Sequence, residues 1–170
     1  MVSGGGDPDV AEIVDVDVVF NPYYVNNPGI KFGNSTAGED IPIGAVAAHE
    51  LGHAVGLFHS GIPTATMWFA LQPGNEALSL EFDDEARVSH LYPGAGLTAF
   101  GTISGTLFDG PSYPQKVAGA LVTGTHQTTG SQVSAYTDLA GEYVLPRLTP
   151  GSWDVDVQPL DGDVYGFDLR

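Results

Sequence analysis

The stretch His49-Glu50-Leu51-Gly52-His53-Ala54-Val55-Gly56-Leu57-Phe58-His59-Ser60 decides how this chain is read. It lies at the end of a run, Ile43 to Val55, that is rich in Ala, Leu and Val and free of proline, so a helix is expected there. Asp40 fits the N-cap and Pro42 the first turn, where a missing N–H costs nothing. Gly56 is placed to end the helix in the left-handed conformation. On such a helix His49 and His53 share one face, roughly 6 Å apart along the axis. Two neutral imidazoles so placed suit a zinc ion, with bonds of roughly 2.0–2.1 Å. The turn at Gly56 lets His59 swing back as a third ligand. Three protein ligands leave one position open for water, as a catalytic zinc requires; a structural site fills all four, and the chain has no cysteine to close this one.

Glu50 stands beside His49, so its carboxylate is expected to face that water rather than the ion. Zinc lowers the pKa of a bound water to about 7, within reach of a carboxylate base. The residue set therefore predicts peptide-bond hydrolysis. Glu50 takes the water's proton and returns it to the leaving amine, while the metal steadies the charge on the carbonyl oxygen. The bland alternative is three unrelated histidines with ordinary hydrogen bonds. Three of the chain's five histidines falling in this frame argues against coincidence. A thermolysin-like site would draw its third ligand from a distant Glu, which His59 makes unnecessary.

Outward from the motif, Ile13-Val14-Asp15-Val16-Asp17-Val18-Val19-Phe20 alternates apolar and acidic residues, the pattern of a half-buried strand. Asn21 to Glu39 is rich in Asn, Pro and Gly and is expected to be loop, as is Leu57 to about Leu80. A second helix is expected over Asp83 to Leu91, with two aspartates at its positive end and Pro93-Gly94 as its stop. From about Thr98 short β-rich pieces alternate with Gly, Pro, Ser and Thr clusters. Strands are expected at Gly101–Phe108, Val117–Thr123, Gln132–Thr137, Glu142–Leu145 and Trp153–Gln158, with a further piece at Val164–Leu169. Tyr143 and Trp153 are expected in a core, His90 on a helix surface and His126 in a loop.

With Ser60 after the third histidine, the motif resembles the matrixin branch of the metzincins. Thr64-Ala65-Thr66-Met67-Trp68 looks like that family's Met-turn, and Leu78 to Pro93 like its closing helix. Val14 to Asn21 resembles the strand before the zinc helix in bacterial matrixin-like peptidases. The resemblance covers about residues 10–94. It implies that His49, His53 and His59 are ligands, that Glu50 is the base, and that Met67 is an apolar floor under the metal. It also implies that a peptide or protein substrate binds extended across a cleft. Trp68-Phe69-Ala70-Leu71 replaces the family's Pro and Tyr pattern in the pocket wall. The strands and long helix that precede the matched strand in matrixins have no counterpart in the short leader here. The pieces from Phe100 onward, with Thr137 to Leu145 and Leu148 to Val155, resemble carboxypeptidase regulatory-like modules, which are transthyretin-like β-sandwiches. The expected chain is thus α+β: a partial metzincin domain at residues 1–95, then a small all-β sandwich at 98–170.

Composition narrows the partners. The 170 residues carry 5 basic against 21 acidic groups, a net charge of −16. Such a surface repels phosphate backbones and anionic lipid, so neither nucleic acid nor a membrane surface is an expected partner. No apolar run is long enough to cross a bilayer, and the glycine-rich start lacks the pattern of a signal peptide. The resemblance implies a secreted, extracellular protein. Asp161-Gly162-Asp163 lacks the spaced oxygen ligands of a calcium loop, so zinc is the expected metal and calcium has no support. Two readings follow: a zinc endopeptidase joined to a β-sandwich, or a non-catalytic adhesion or spacer fragment with a vestigial zinc site. A base at Glu50 favours the first.

Overall fold

The computed structural model describes residues 13–25, 32–33, 41–70, 79–94, 99–112 and 115–158. Two short strands, β1 (Phe32–Gly33) and β2 (Ile41–Pro42), pair in parallel and lead into helix α1 (Ile43–Ala54). Pro42 is its N-cap and gives no side-chain hydrogen bond; the expected cap, Asp40, lies outside the described residues. Burial follows helical spacing: Ala45, Val46, His49 and Gly52 face inward, whereas Ile43, Leu51 and Val55 are exposed. The helix ends as its sequence dictates. Gly56 adopts φ +92°, its N–H donates to the carbonyl of His53, and the N–H of Leu57 donates to that of Gly52, each at 2.9 Å. These two bonds satisfy carbonyls that the helix end would otherwise strand.

The strand expected over Ile13–Phe20 is not formed. A strand exists through its ladder, and no described residue pairs with this segment. Its alternation buries no side chain fully, and Val14 and Val19 are each 86% exposed. Only Phe20 finds an aromatic partner, the edge of Phe32, at 6.2 Å between ring centres.

Helix α2 (Phe82–Leu91) starts one residue earlier than expected, behind a capping box between Glu81 and Asp84. Five strands follow: β3 (Gly101–Thr106), β4 (Leu121–His126), β5 (Gln132–Tyr136), β6 (Glu142–Leu148) and β7 (Trp153–Gln158). They form two antiparallel sheets, β3–β6 and β5–β4–β7. Val122, Val133 and Ala135 from one sheet and Leu145 and Leu148 from the other make one buried cluster, with Ala86 of α2 inside it. Phe82, Tyr143 and Trp153 pack against it. The second helix thus serves the β-rich half as much as the first half.

Strand β4 begins at Leu121, not Val117. Thr137 explains the shift. Its hydroxyl donates to the carbonyl of Val117 and accepts from the N–H of Ala120, which turns residues 117–120 out of the ladder. His126 is another correction. It closes β4 as a buried residue, edge-on to Trp153, and its Nδ1 accepts from the N–H groups of Thr128 and Thr129. The ring is held between that turn and Trp153 rather than in a solvent-facing loop. The expected strand at Val164–Leu169 and the acidic turn at Asp161–Asp163 lie outside the described residues.

Candidate metal centre

Helix α1 and the loop after its Gly56 turn bring three histidines together. One ring nitrogen from each of His49, His53 and His59 lies within 4.8 Å of the others. Ring centres are 4.8 Å apart for His49 and His53, 5.4 Å for His49 and His59, and 4.9 Å for His53 and His59. The first pair is set by helical geometry and the third ring by the turn. His49 is buried; His53 and His59 are partly exposed.

The hydrogen bonds fix which nitrogens face the shared centre. Nδ1 of His49 lies 2.7 Å from the carbonyl oxygen of Thr66, and Nδ1 of His53 lies 2.8 Å from that of Leu57. A carbonyl only accepts, so both Nδ1 atoms carry the proton and donate it. Both Nε2 atoms of the neutral rings are then bare lone pairs, yet they stand 3.1 Å apart. That separation suits two ligand atoms that share one cation. Two nitrogens on a tetrahedral zinc would be roughly 3.3 Å apart, as bond lengths of about 2.0–2.1 Å require. The donor set therefore fits zinc: three imidazoles, two of them oriented through the far nitrogen by backbone carbonyls, as is usual for ligating histidines.

Glu50 follows His49 on α1 and is half-buried. Met67 is only 1% exposed. It packs straight onto Gly52, where any side chain would overlap its Sδ. The glycine between the first two histidines is therefore what admits the methionine. The turn carrying Met67 is held from both sides. Its carbonyl accepts from the N–H of Ser60 at 2.7 Å, and Asp84 accepts from the N–H groups of Thr66 (2.8 Å) and Met67 (3.1 Å). Thr66 in turn supplies the carbonyl that orients His49.

Asp83 and Asp84 were expected to act as charges at a helix N-terminus. Both are instead buried and connect distant segments. Asp83 accepts from the Ser60 hydroxyl at 2.5 Å and from the N–H of Ser134 in β5 at 2.6 Å, and faces Arg87 Nε at 3.7 Å. Burial pushes its carboxyl above the ordinary value of 3.8, against the lowering effect of Arg87, Ser60 and Ser134. Sequence spacing gives no sign of these long-range partners. The only local signal was two adjacent acids in the first turn of a helix.

Residues 29–93 match the family model for matrixin, Peptidase_M10. Metalloendoproteinase 4-MMP of Arabidopsis thaliana is 33% identical over 63 residues, covering 37% of this chain and 18% of that protein. Metalloendoproteinase 1-MMP of the same plant is 40% identical over 60 residues, covering 35% and 16%. Matrilysin of Rattus norvegicus is 43% identical over 60 residues, covering 34% and 22%. The chain thus spans less than a quarter of the length of these curated relatives. No solved structure matches it. The family match and the histidine group together support a metalloprotease family for this segment, with a zinc-compatible triad. No helix among the described residues is long and apolar enough to cross a membrane.

Proposed function

We propose that this chain carries the centre of a zinc-dependent endopeptidase of the metzincin type, with His49, His53 and His59 as ligands and Glu50 as general base. The observation that carries the reading is the pair of Nε2 atoms 3.1 Å apart, with a third imidazole beside them and a carboxylate next in sequence. Bound zinc would supply Lewis-acid polarisation of the scissile carbonyl and a water acidified to about pKa 7.

The chain's own residues do the rest. The carbonyls of Thr66 and Leu57 hold two imidazoles in the tautomer that leaves Nε2 free to bind. Glu50, one position from His49, takes the proton of the attacking water and passes it to the departing amine. Met67 and Gly52 keep the floor of the site apolar and closely packed, which excludes water from below. An extended peptide or unstructured protein segment is the substrate class. Secretion and an extracellular setting belong to the same reading. The two sheets after residue 98 are read as a carboxypeptidase regulatory-like β-sandwich, without catalytic residues, that supports the first domain.

The exposed apolar face of α1, Ile43, Leu51 and Val55, favours a second reading, an adhesion or spacer fragment whose zinc site no longer turns over. Glu50→Ala separates the two. The purified chain should hold about one zinc by elemental analysis, as three protein ligands and an open position imply. Glu50→Ala should keep that zinc and lose cleavage of an unstructured protein substrate. Equal cleavage by both would remove Glu50 from the chemistry. Zinc without cleavage in either would favour the second reading.

A further inference from the structure

His59 sits in a loop, unlike the first two histidines, so something other than a helix has to hold it. We propose that Ser134 of β5, acting with Asp83 and Arg87 of α2, is a positioning residue for His59, which makes the β-rich half of the chain a structural part of the metal centre. The proposal rests on His59 being a ligand.

Three consecutive residues of the loop are tied to Ser134. The carbonyl of His59 accepts from Arg87 Nη1 at 3.2 Å, and the same guanidinium donates from Nε and Nη2 to the Ser134 carbonyl at 3.3 and 3.1 Å. Ser60 donates its hydroxyl to Asp83 Oδ2 at 2.5 Å, while Asp83 Oδ1 accepts the Ser134 N–H at 2.6 Å. Gly61 donates its N–H to the Ser134 hydroxyl at 3.1 Å. Ser60 is 0% exposed, Asp83 1% and Ser134 1%, so water cannot replace a lost partner. Arg87 spans two carbonyls at once with the fixed planar fork of its guanidinium, a geometry that the point charge of a lysine does not pre-set. Ser134 is fixed in turn by its neighbours: it stands opposite Thr123 on the edge strand of β5–β4–β7, between the Gly124–Val133 and Val122–Ala135 pairs, with its own N–H and carbonyl turned out towards α2. A rigid sheet thus sets the height of the loop, and the loop sets the third ring against two rings already fixed by α1. Partners of this kind behind a metal ligand typically change metal affinity about 10–100-fold when removed.

The test uses the full chain and two readouts: zinc affinity in competition with a chromophoric chelator, and the visible spectrum of the cobalt(II)-substituted protein, which reports ligand geometry. Arg87→Met should weaken zinc binding about 10–100-fold and alter the cobalt spectrum. Ser134→Ala, which removes only the hydroxyl and carries the test if Arg87→Met folds poorly, should shift both in the same direction by a smaller factor. Val122→Ala, a cavity in the core of the same sheets, should lower stability and leave both readouts unchanged. If Arg87→Met and Ser134→Ala bind zinc like the unmodified chain while His59→Ala does not, the positioning role is wrong and the ligand assignment stands. If Val122→Ala weakens zinc as much as Arg87→Met, the effect is general instability and the role of Ser134 is overturned. If His59→Ala binds like the unmodified chain, or the unmodified chain binds no zinc, the ligand assignment fails and the positioning role with it.

Discussion

Nε2 of His49 lies 3.1 Å from Nε2 of His53, and on each ring the opposite nitrogen faces a backbone carbonyl. Two ring nitrogens aimed at one point at that separation have the geometry of ligands that share a cation. Zinc should therefore stabilise the protein as well as bind it. At a free concentration 100-fold above the dissociation constant, binding to the folded state alone contributes about 2.7 kcal/mol. Thermal unfolding with and without zinc would measure it, with a chelator restoring the lower midpoint. A midpoint unmoved by saturating zinc would mean that the two rings meet for some other reason.

Gly52 and Met67 offer a second handle. A methyl at position 52 would overlap Met67 Sδ, and Met67 is buried. On helix propensity alone, alanine should improve on glycine by roughly 1 kcal/mol. Overpacking of a tight interior costs about 1–3 kcal/mol. Packing should win, and Gly52→Ala should destabilise. Urea unfolding of Gly52→Ala beside Gly52→Ala/Met67→Ala checks the cause, since shortening residue 67 should recover part of the loss. Net stabilisation by Gly52→Ala would show that Met67 moves aside freely.

The parts of this molecule that depend on local geometry could be read from sequence. His49 and His53 needed only the helical repeat, and Gly56 only the left-handed turn that ends α1. Phe82–Leu91 announced itself by its acidic start and its following proline. Failures came where a partner decides. The alternation of Ile13–Phe20 specified a face to bury but no strand to pair with. Strand β4 slid to Leu121 because Thr137, a residue sixteen positions on from it, captures the chain before it. Asp83 and Asp84 read only as charges at the positive end of a helix because nothing near them in sequence names Ser60, Ser134 or Met67 as partners.

Asp84 should prove one of the costliest positions to truncate. Its two oxygens accept from the N–H groups of Thr66, Met67 and Glu81, and its side chain is fully buried. Asp84→Ala strands several donors at once, and each one left buried and unpaired costs about 1–3 kcal/mol. A loss on the order of 3 kcal/mol or more is expected in chemical unfolding, with Asp84→Asn losing less because one carbonyl oxygen remains. The Met67 turn should also loosen, seen as faster amide exchange at Thr66 and Met67. A loss below about 1 kcal/mol, the scale of an ordinary surface change, would contradict the assignment.

Asp83 should leave its mark on the pH dependence of stability. Burial, the largest influence, raises its carboxyl above 3.8, with neighbouring Asp84 adding to the rise and Arg87, Ser60 and Ser134 opposing it. The folded state therefore holds this proton more tightly than the unfolded state. By linkage, the group's contribution to stability is fully present below the unfolded value of 3.8 and is lost as pH rises through the folded value. The sign is opposite to that of a carboxylate whose ion pair outweighs its desolvation. Asp83→Asn removes the titration while keeping the shape. The stability of the unmodified chain relative to Asp83→Asn should fall as pH rises from 3.8 and then level off. Taking that difference cancels the other titrating groups common to both proteins. Urea unfolding of the two across this range, with chelator present throughout, measures it. A difference that grows with pH would mean that Arg87 and the Ser60 hydroxyl hold the carboxylate ionised despite its burial.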